Sequence, residues 1–409
     1  MSSQVNGENG DESSPHVEVA PIESHPEPSD AKPSDAKPSD AKPSHDLRDS
    51  KGWDGKLRID RTASLQNPEA LEDSEYSDDD NVLPGEEISA DEDLLDDEKA
   101  DADDISLIQS RVASIPNLHL ERFPNVRRLC LRQNLVQNIE GLSTLAPTLK
   151  ELDLYDNLIS HIRGLDELTE ITQLDLSFNK IKHIKNIGNL TKLTDLWLIS
   201  NKISRIEGLE KLVNLRQLEL ASNRIREIQN LDSLKNLEEL WLAKNKLTGL
   251  HGLGGLPKLK ILSIQSNRIT DLSPLREVPQ LEEVYVSHNL LENLEGLDGN
   301  PNLMVLDISN NKVKSFKGLG GLKKLKEVWA SNNQILDFTD VERELADKEN
   351  LSTIYLEGNP LQQRQPALYR NKIRLALPQL TQIDASEFFL ISHFKNHPTG
   401  QELLLISTR

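Results

Sequence analysis

A pattern of about 22 residues is repeated through the middle of this chain, and it constrains the fold more than any other feature. In one copy, leucines at positions 215, 218 and 220 are followed by Asn223. The pattern occurs eleven times within residues 126–361. Its fixed asparagine falls at Asn134, Asn157, Asn179, Asn201, Asn223, Asn245, Asn267, Asn289, Asn311, Asn333 and Asn359. Successive asparagines are 23 residues apart once, then 22 apart eight times, and finally 26 apart.

The leucine spacing within each copy predicts a short strand with one buried face, because apolar and polar residues alternate there. A single copy cannot bury that face alone, so neighbouring copies must stack and pair their strands into one parallel sheet. Leucines in the order L-x-x-L-x-L-x-x-N at this period are the signature of leucine-rich repeats. We therefore predict an α/β solenoid, a leucine-rich-repeat horseshoe of 22-residue repeats with a concave parallel sheet, preceded by a disordered acidic tail.

The other fixed positions of each copy have a structural explanation. The asparagine stands where the chain turns away from the strand, and its amide can pair with backbone groups that would otherwise be buried and unsatisfied. The later apolar residues, such as Ile225, Ile228 and Leu231, are expected to fill the convex side of the copy. Each contributes roughly 1.5–3 kcal/mol when it is fully buried.

The net charge of −20 is concentrated at the N-terminal end of the chain. Residues 1–104 contain 31 acidic and 9 basic side chains, whereas the remainder contains 36 acidic and 38 basic. The N-terminal segment is also rich in Ser and Pro, a composition that cannot bury enough apolar surface to offset the entropy of ordering. We therefore predict a disordered tail. Its acidic run at 91–98 could form a short docked helix, but a solvated run is the favoured interpretation.

Several absences favour an intracellular protein over a secreted or membrane-bound one. Cys130 is the single cysteine, so an internal disulfide framework is excluded and a reducing compartment is favoured. The N-terminal residues do not form a secretory signal, and no run approaches the roughly 18 apolar residues that span a bilayer.

These observations predict five segments. Residues 1–103 form the acidic tail, 104–125 an N-terminal cap or partial repeat, and 126–361 the eleven repeats. Residues 362–385 form a C-terminal cap whose helix ends at Pro378, and 386–409 form a C-terminal tail. The 26-residue step is explained by a longer convex helix at 340–345.

Two residues of each predicted strand point to the concave face. The residue before the second leucine gives the series Arg128, Glu151, Gln173, Asp195, Gln217, Glu239, Ile261, Glu283, Val305, Glu327 and Thr353. The residue between the second and third leucines gives Cys130, Asp153, Asp175, Trp197, Glu219, Trp241, Ser263, Tyr285, Asp307, Trp329 and Tyr355. Three of the four tryptophans in the chain belong to the second series.

This composition predicts a protein-docking surface. Large aromatic side chains supply much of the binding energy of interfaces, and nine acidic residues in the two series would steer a basic partner surface. A nucleic-acid site is disfavoured because phosphates require basic residues on the working face. The chain lacks a Gly-rich phosphate loop, paired cysteines and metal-ligand spacing of histidines. Cys130 is expected to be a single exposed thiol, so we predict no catalytic residue, cofactor or metal.

Particular segments resemble a known family. They are Leu129-Cys-Leu-Arg-Gln-Asn134, Leu152-Asp-Leu-Tyr-Asp-Asn157, Leu174-Asp-Leu-Ser-Phe-Asn179, Ser266-Asn-Arg-Ile269, Tyr355-Leu-Glu-Gly-Asn-Pro360 and the cap Leu375-Ala-Leu-Pro378 with Ile383-Asp-Ala385. Over about residues 105–385 the chain resembles the leucine-rich-repeat regulatory subunit of type-1 protein phosphatase, the nuclear family first known as a suppressor of mitotic phosphatase mutants.

The resemblance implies a non-catalytic subunit, monomeric before complex formation, that holds the phosphatase catalytic subunit on its concave face. It places the contacts at Asp175, Trp197, Glu219, Trp241, Asp307, Glu327, Trp329 and Tyr355. Trp197 and Trp241 stand where the family often has Phe. The chain lacks the short Arg/Lys-Val-x-Phe/Trp docking peptide of other phosphatase partners, which is consistent with binding through the solenoid. Location in the nucleus, and also in the cytoplasm, and a role in chromosome segregation and mitosis are further implications.

A second interpretation remains open. The same 22-residue repeats occur in scaffolds or adaptors of other intracellular complexes, of the spliceosomal or ciliary type. Those proteins usually have fewer repeats, and their concave aromatic residues are expected to be placed differently. A third class, activators of a GTPase, is disfavoured because those proteins need longer repeats with more convex helix.

Overall fold

The computed structural model describes residues 94–387, with side chains described for 94–385, and these residues form a solenoid on one 14-stranded sheet. The strands lie in chain order across the sheet. Neighbouring strands are parallel up to the last pair, which is antiparallel. The strands are β1 Asp104–Ser106, β2 Arg128–Cys130, β3 Glu151–Asp153, β4 Gln173–Asp175, β5 Asp195–Trp197, β6 Gln217–Glu219, β7 Glu239–Trp241, β8 Ile261–Ser263, β9 Glu283–Tyr285, β10 Val305–Asp307, β11 Glu327–Trp329, β12 Thr353–Tyr355, β13 Gln382–Ile383 and β14 Ser386–Glu387. The predicted leucine-rich-repeat solenoid is thereby confirmed.

Each repeat strand is three residues long, because only the buried middle residue of the apolar–polar pattern and its two neighbours lie in the sheet. Its middle residue is buried, as Leu196 and Leu218 show with no exposed surface, and the two flanking residues point to the concave face. The strands are paired without slippage, so Leu196 lies between Leu174 and Leu218. Burial on one face explains this fixed register, since a shift of one residue would expose every leucine.

The eleven fixed asparagines form a buried ladder that joins successive repeats. Each is at most 9% exposed. Asn223 is typical: its Nδ2 donates to the carbonyl of Leu198 in the preceding repeat at 2.8 Å and to that of Leu220 at 3.1 Å. Its Oδ1 accepts from the backbone N–H of Ile203 at 3.0 Å. The side chain therefore satisfies backbone groups of two repeats at the turn where no strand pairing can do so.

The convex side consists mainly of turns and short 3-10 helices, and α-helices occur toward the C-terminal end of the described residues. The 3-10 helices are Pro116–Leu118, Leu120–Arg122, Ser143–Leu145, Ser273–Glu277 and Leu297–Gly299. The α-helices are α1 Phe338–Leu345, α2 Pro360–Gln363 and α3 Pro366–Ala376. Helix α1 confirms the predicted longer convex helix. It begins two residues earlier than predicted because Asp337 caps it, accepting from the N–H of Thr339 at 2.9 Å.

The N-terminal cap is larger than predicted. Strand β1 covers β2, and the chain before it also packs: Leu95 is only 2% exposed, and Asp96 forms an ion pair with Arg122 at 2.9 Å. The prediction that the disordered tail reaches residue 103 is wrong for residues 94–103. The physical reason is that Leu95 can bury against the first repeat while the neighbouring carboxylates stay at the surface.

The C-terminal end of the sheet is covered by α3 and by β13. Tyr369 and Ile373 form the buried face of α3. Asp384, which follows β13, is 5% exposed, and its Oδ1 accepts from the N–H of Leu356 at 2.9 Å and from the Tyr369 hydroxyl at 3.2 Å. The predictions for residues 1–93 and 388–409 lie outside the described residues.

Candidate functional site

The third residues of strands β2 to β12 form one continuous row across the concave face, here called the concave row. The strand register places Asp175 beside Trp197, Trp197 beside Glu219, and Glu219 beside Trp241. The row runs from Cys130 at the N-terminal side to Tyr355 at the C-terminal side. The sequence pattern identified these residues, and the register shows that they are neighbours in space.

The C-terminal half of the concave row is an aromatic cluster. The rings of Trp241 and Tyr285 are stacked with centroids 6.3 Å apart. Tyr285 lies 6.1 Å from Trp329, and Trp329 lies 6.1 Å from Tyr355 in an edge-on contact. All four side chains are half-buried. The cluster therefore offers a ready-formed apolar surface of four rings on the sheet.

Small residues between the rings explain how side chains two strands apart can touch. Ser263 separates Trp241 from Tyr285 in the row, and Asp307 separates Tyr285 from Trp329. Both short side chains are buried, with exposures of 1% and 6%. Asp307 uses its Oδ1 to accept from the N–H of Ser309 at 2.9 Å. This predicted contact residue thus lies between the aromatic rings rather than at the front of the surface.

The polar atoms of the cluster are bound to carboxylates on the same strands. Trp241 Nε1 donates to Glu239 at 3.2 Å, and Trp329 Nε1 donates to Glu327 at 3.0 Å. The Tyr285 hydroxyl donates to Glu283 at 2.7 Å. Burial and this neighbouring carboxylate raise the pKa of Tyr285. Each ring is thus fixed in orientation, and each pair presents an apolar face beside a negative charge.

The tyrosine that ends the aromatic cluster has a different partner. Gln382 Nε2 donates to the Tyr355 hydroxyl at 2.6 Å. Because Gln382 belongs to β13, the C-terminal cap orients the last ring of the concave row.

The N-terminal half of the concave row is an acidic hollow of about 390 Å³. Asp153, Asp175, Trp197 and Glu219 are among the residues that line it. Burial raises the pKa of Asp175, although its Oδ1 accepts from the N–H of Ser177 at 2.8 Å. Burial also raises the pKa of Glu219, despite polar contacts with Gln217 and Trp197. Partly buried carboxylates of this kind gain energy when a cation approaches.

Basic side chains lie only at the N-terminal end of this hollow. Arg132 is 3.5 Å from Asp153 and stacks over the Tyr155 ring at 4.2 Å. Arg128 pairs with Asp104 at 3.2 Å. The exposed thiol expected at Cys130 is wrong: the side chain is 2% exposed, and its Sγ lies 3.8 Å from Asp153 Oδ2. Its shortness and its carboxylate neighbour explain why it does not reach solvent.

The eight predicted contact residues thus fall into two groups on one face. Asp175, Trp197 and Glu219 line the acidic hollow. Trp241, Trp329 and Tyr355 belong to the aromatic cluster, Asp307 lies between its rings, and Glu327 accepts from Trp329 beside it. Sequence reasoning did not include Tyr285 among the eight, although it stands in the same series. It also did not assign Glu239 and Glu283 as partners of the rings; their position two residues before each ring is the signal that could have identified them.

Two other kinds of feature are not found among the described residues: a cluster of metal ligands and a membrane-spanning helix. Within 94–385 no group of three or more His, Cys, Asp or Glu side chains is placed to hold a metal ion. Among the described helices, none is long and apolar enough to cross a bilayer.

Comparison with protein families identifies the architecture. The leucine-rich-repeat model of two copies matches residues 191–233, 213–255, 235–277, 257–299 and 301–343, and a second leucine-rich-repeat model matches 108–181. Together the matches cover more than half of the chain. The chain belongs to the leucine-rich-repeat proteins.

Curated relatives resemble short stretches of this chain. Protein phosphatase 1 regulatory subunit SDS22 of Schizosaccharomyces pombe is 55% identical over 53 residues, which are 13% of this chain and 16% of that protein. Protein phosphatase 1 regulatory subunit 7 of Xenopus tropicalis is 52% identical over 50 residues, 12% of this chain and 14% of that protein. The matched stretches thus span about a sixth of the length of these relatives. They confirm the resemblance to phosphatase regulatory subunits that the repeat motifs indicate.

Solved structures agree on the fold. An internalin of Listeria monocytogenes superimposes with a TM-score of 0.54 at 24% identity, covering 70% of this chain and 87% of its own. A leucine-rich-repeat protein of Leptospira interrogans gives a TM-score of 0.53 at 29% identity, covering 66% of this chain and 74% of its own.

Proposed function

We propose that this chain is a non-catalytic regulatory subunit that binds the type-1 Ser/Thr protein phosphatase catalytic subunit on its concave row. The observation that carries the proposal is the arrangement of that row, in which an aromatic cluster continues into an acidic hollow on one sheet. The stretches that resemble phosphatase regulatory subunits name the partner class.

The two halves of the row would contribute differently to binding. The aromatic cluster supplies large apolar rings that need little further ordering, since their contacts with each other and with Glu239, Glu283 and Glu327 already hold them. Such pre-ordered aromatic groups are typical binding hot spots. The hollow supplies carboxylates whose pKa is raised by burial, so a basic side chain of the partner would relieve an existing cost.

The decisive experiment is capture of purified phosphatase catalytic subunit by the full chain. A variant with Trp197→Ala, Trp241→Ala and Trp329→Ala removes three rings of the row. The matched control carries Val213→Ala, Leu290→Ala and Leu368→Ala, which truncate three exposed apolar side chains outside the strands. Circular dichroism establishes that each variant retains its fold.

The proposal expects the native chain and the control to bind equally, and the tryptophan variant to lose at least about 3 kcal/mol, roughly a hundredfold in Kd. Equal capture of the phosphatase by both variants would show that the concave row is not the binding surface. No capture by the folded native chain would reject the phosphatase and favour a scaffold of the spliceosomal or ciliary type.

We further propose where in the cell the chain acts. A regulatory subunit of the kind implied by the resemblance would act on the phosphatase in the nucleus, including during mitosis. Imaging of the tagged full chain through the cell cycle tests this extension, and exclusion from the nucleus at every stage would refute it without affecting the binding proposal.

A further inference from the structure

A patch of apolar side chains lies beside the acidic hollow, on the edge of the solenoid where the strands end. It consists of Tyr155, Phe178 and Ile199 and is here called the apolar rim. Phe178 is 43% exposed, and Tyr155 and Ile199 are partly exposed. Tyr155 and Ile199 are also among the residues that line the hollow. The apolar rim therefore continues the concave surface onto the edge of the sheet.

The three side chains of the apolar rim come together around one small residue. The ring centroids of Tyr155 and Phe178 are 4.7 Å apart. The N–H of Phe178 donates to the carbonyl of Ile199 at 2.7 Å, which places these two residues side by side on adjacent repeats. Between Tyr155 and Ile199 stands Ser177, which is only 1% exposed and whose Oγ accepts from the N–H of Ile199 at 3.2 Å. Ser177 therefore leaves the surface to the larger side chains.

Phe178 occupies a backbone position that does not favour a bulky residue. The residue before the fixed asparagine has a positive φ in all eleven repeats, and φ is 56° at Phe178. This left-handed conformation is costly for most L-residues, whereas Gly, Asn and Asp adopt it readily. The other ten repeats have a polar residue or glycine there, as Ser200 and Ser222 illustrate. A bulky residue that is held in this conformation at the surface points to a functional role.

The repeat architecture does not require the apolar rim. Strands β6 to β12 have two equivalent positions each, the second and third residues after the strand. None of these positions carries a large apolar side chain; they hold Ala, Ser, Asn, Gln, Glu, Lys, His or Gly. The same repeats are nevertheless closed by buried apolar residues and the buried asparagine. Because the rim is not needed for packing, its contiguous exposed surface is typical of an interaction site.

Contacts within the chain hold the apolar rim in place before a partner binds. The Tyr155 ring contacts Phe178, and the guanidinium of Arg132 lies 4.2 Å from its centroid. Arg132 is in turn 3.5 Å from Asp153, whose Oδ1 accepts from the N–H of Tyr155 at 3.1 Å. Side chains that are already ordered lose little conformational freedom on binding. The rim therefore offers a formed apolar surface to a side chain of a partner.

We propose that the apolar rim receives an apolar side chain of the same protein that docks on the concave row. This inference rests on the proposed function, since it takes the phosphatase catalytic subunit as the partner. Because Tyr155 and Ile199 belong to the rim and also line the hollow, a partner that fills the hollow lies against the rim. The hollow is lined by carboxylates, which fit a basic side chain. The partner segment seated here thus combines a basic side chain in the hollow with an apolar side chain on Phe178.

Photo-crosslinking tests the contact directly. The photoreactive residue p-benzoylphenylalanine replaces Phe178 in the full chain, which is then irradiated with purified phosphatase catalytic subunit. The same probe in place of Val213, an exposed apolar residue outside the strands, is the matched control. The proposal expects a crosslinked complex from position 178 and none from position 213. Capture of the phosphatase without a crosslink from position 178 would overturn the proposal.

Dissociation constants of full-length variants test whether the apolar character of the rim matters. Phe178→Ser introduces the residue type that the next two repeats have at this position, so the turn can form. It should weaken binding of the phosphatase about tenfold. Phe178→Leu keeps an apolar side chain and should weaken binding less. His288→Ser changes the same position of a repeat outside the rim, so this matched control should bind like the native chain.

The outcomes separate this inference from the proposed function. Native affinity in Phe178→Ser, or equal losses in Phe178→Ser and His288→Ser, would overturn the role of the rim and leave the concave row as the binding surface. No capture by the folded native chain would reject the proposed function and this inference with it. Urea unfolding shows whether Phe178→Ser also lowers stability through its lost contact with Tyr155. In that case the photo-crosslink decides, because its probe keeps an aromatic ring at position 178.

Discussion

At the scale of single residues, two kinds of polar side chain have opposite energetic roles. The fixed asparagines are buried with their hydrogen bonds satisfied, so they stabilise the turns between repeats. Burial raises the pKa of Asp175 and of Glu219, so their charged forms are held at a cost in the free chain. The first kind serves the fold, and the second is suited to binding a partner of opposite charge.

Asn223→Ala should lower the free energy of unfolding by about 3 kcal/mol, because backbone groups that pair with its amide lose their partners at roughly 1–3 kcal/mol each. Urea unfolding followed by circular dichroism measures the loss. Asn236→Ala is the matched control: this partly exposed asparagine donates to the carbonyl of Val213 at 2.9 Å and accepts from Lys258 Nζ at 2.8 Å, both at the surface. If Asn236→Ala lowered the free energy of unfolding as much as Asn223→Ala does, the loss would not depend on burial of the asparagine.

Asp175→Asn should stabilise the chain at pH 7. Burial raises the folded-state pKa above the ordinary value of about 3.9, so the folded state binds the proton more tightly than the unfolded chain. Unfolding free energy therefore falls as pH rises through the folded pKa, and the cost is fully present at neutral pH. The asparagine variant avoids this cost, so its advantage should vanish as the pH falls below about 3.9.

Urea midpoints of the native and Asp175→Asn chains, measured as a function of pH, test this expectation. Asp156→Asn is the control, because Asp156 is exposed at a neighbouring turn. An advantage of Asp175→Asn that stays constant with pH would mean that the carboxylate charge is not its cause. The same variant should bind a basic partner less tightly, which separates stability from function.

At the scale of elements, the strands of the concave face were predictable while the contacts between their side chains were not. The period located every repeat strand and its buried apolar residue, since burial on one face leaves a single register. The repeat period does not distinguish one aromatic residue of the concave row from another. In the structure, Trp329 contacts both Tyr285 and Tyr355, whereas the described aromatic residues include no ring partner of Trp197. Ring contacts depend on the size of the residue between two strands, which periodicity does not encode.

Trp329→Ala should therefore cost stability as well as binding. Two aromatic pairs at about 0.5–1.5 kcal/mol each imply a loss of about 1–3 kcal/mol in unfolding free energy. Trp197→Ala should weaken capture of the partner with a smaller loss of stability. Unfolding midpoints and dissociation constants for the two variants distinguish the roles, and equal destabilisation by both would contradict the assigned ring contacts.

The same limit applies at the ends of the repeat array. Apolar residues in the first cap were recognisable, but the docking of Leu95 was not, because one leucine in an acidic run gives no periodic signal. Helix α1 was recognisable because a 26-residue step has to place four additional residues somewhere. Regular segments are predictable from spacing, whereas single contacts depend on tertiary neighbours.

At the scale of the whole solenoid, stability is transmitted from repeat to repeat, so the caps affect more than their own residues. At the C-terminal end of the asparagine ladder, Asp384 accepts backbone hydrogen bonds of the kind that the fixed asparagines accept in the repeats. Its Oδ1 accepts from the N–H groups of Leu356 and Glu357 at 2.9 and 3.1 Å and from the Tyr369 hydroxyl at 3.2 Å. One carboxylate thus joins the last repeat, β13 and helix α3.

Asp384→Ala should loosen the C-terminal repeats while the N-terminal repeats stay protected. Loss of these acceptor contacts costs about 1–3 kcal/mol for each unsatisfied group, and a repeat array responds locally because each unit contacts only its neighbours. Amide hydrogen exchange should accelerate about tenfold or more in β11 to β13, since about 1.4 kcal/mol corresponds to a tenfold change. Strands β2 to β4 provide the internal reference. Asp384→Asn keeps the Oδ1 acceptor and should remain close to native; faster exchange along the entire array in Asp384→Ala would instead show that the solenoid unfolds as one cooperative unit.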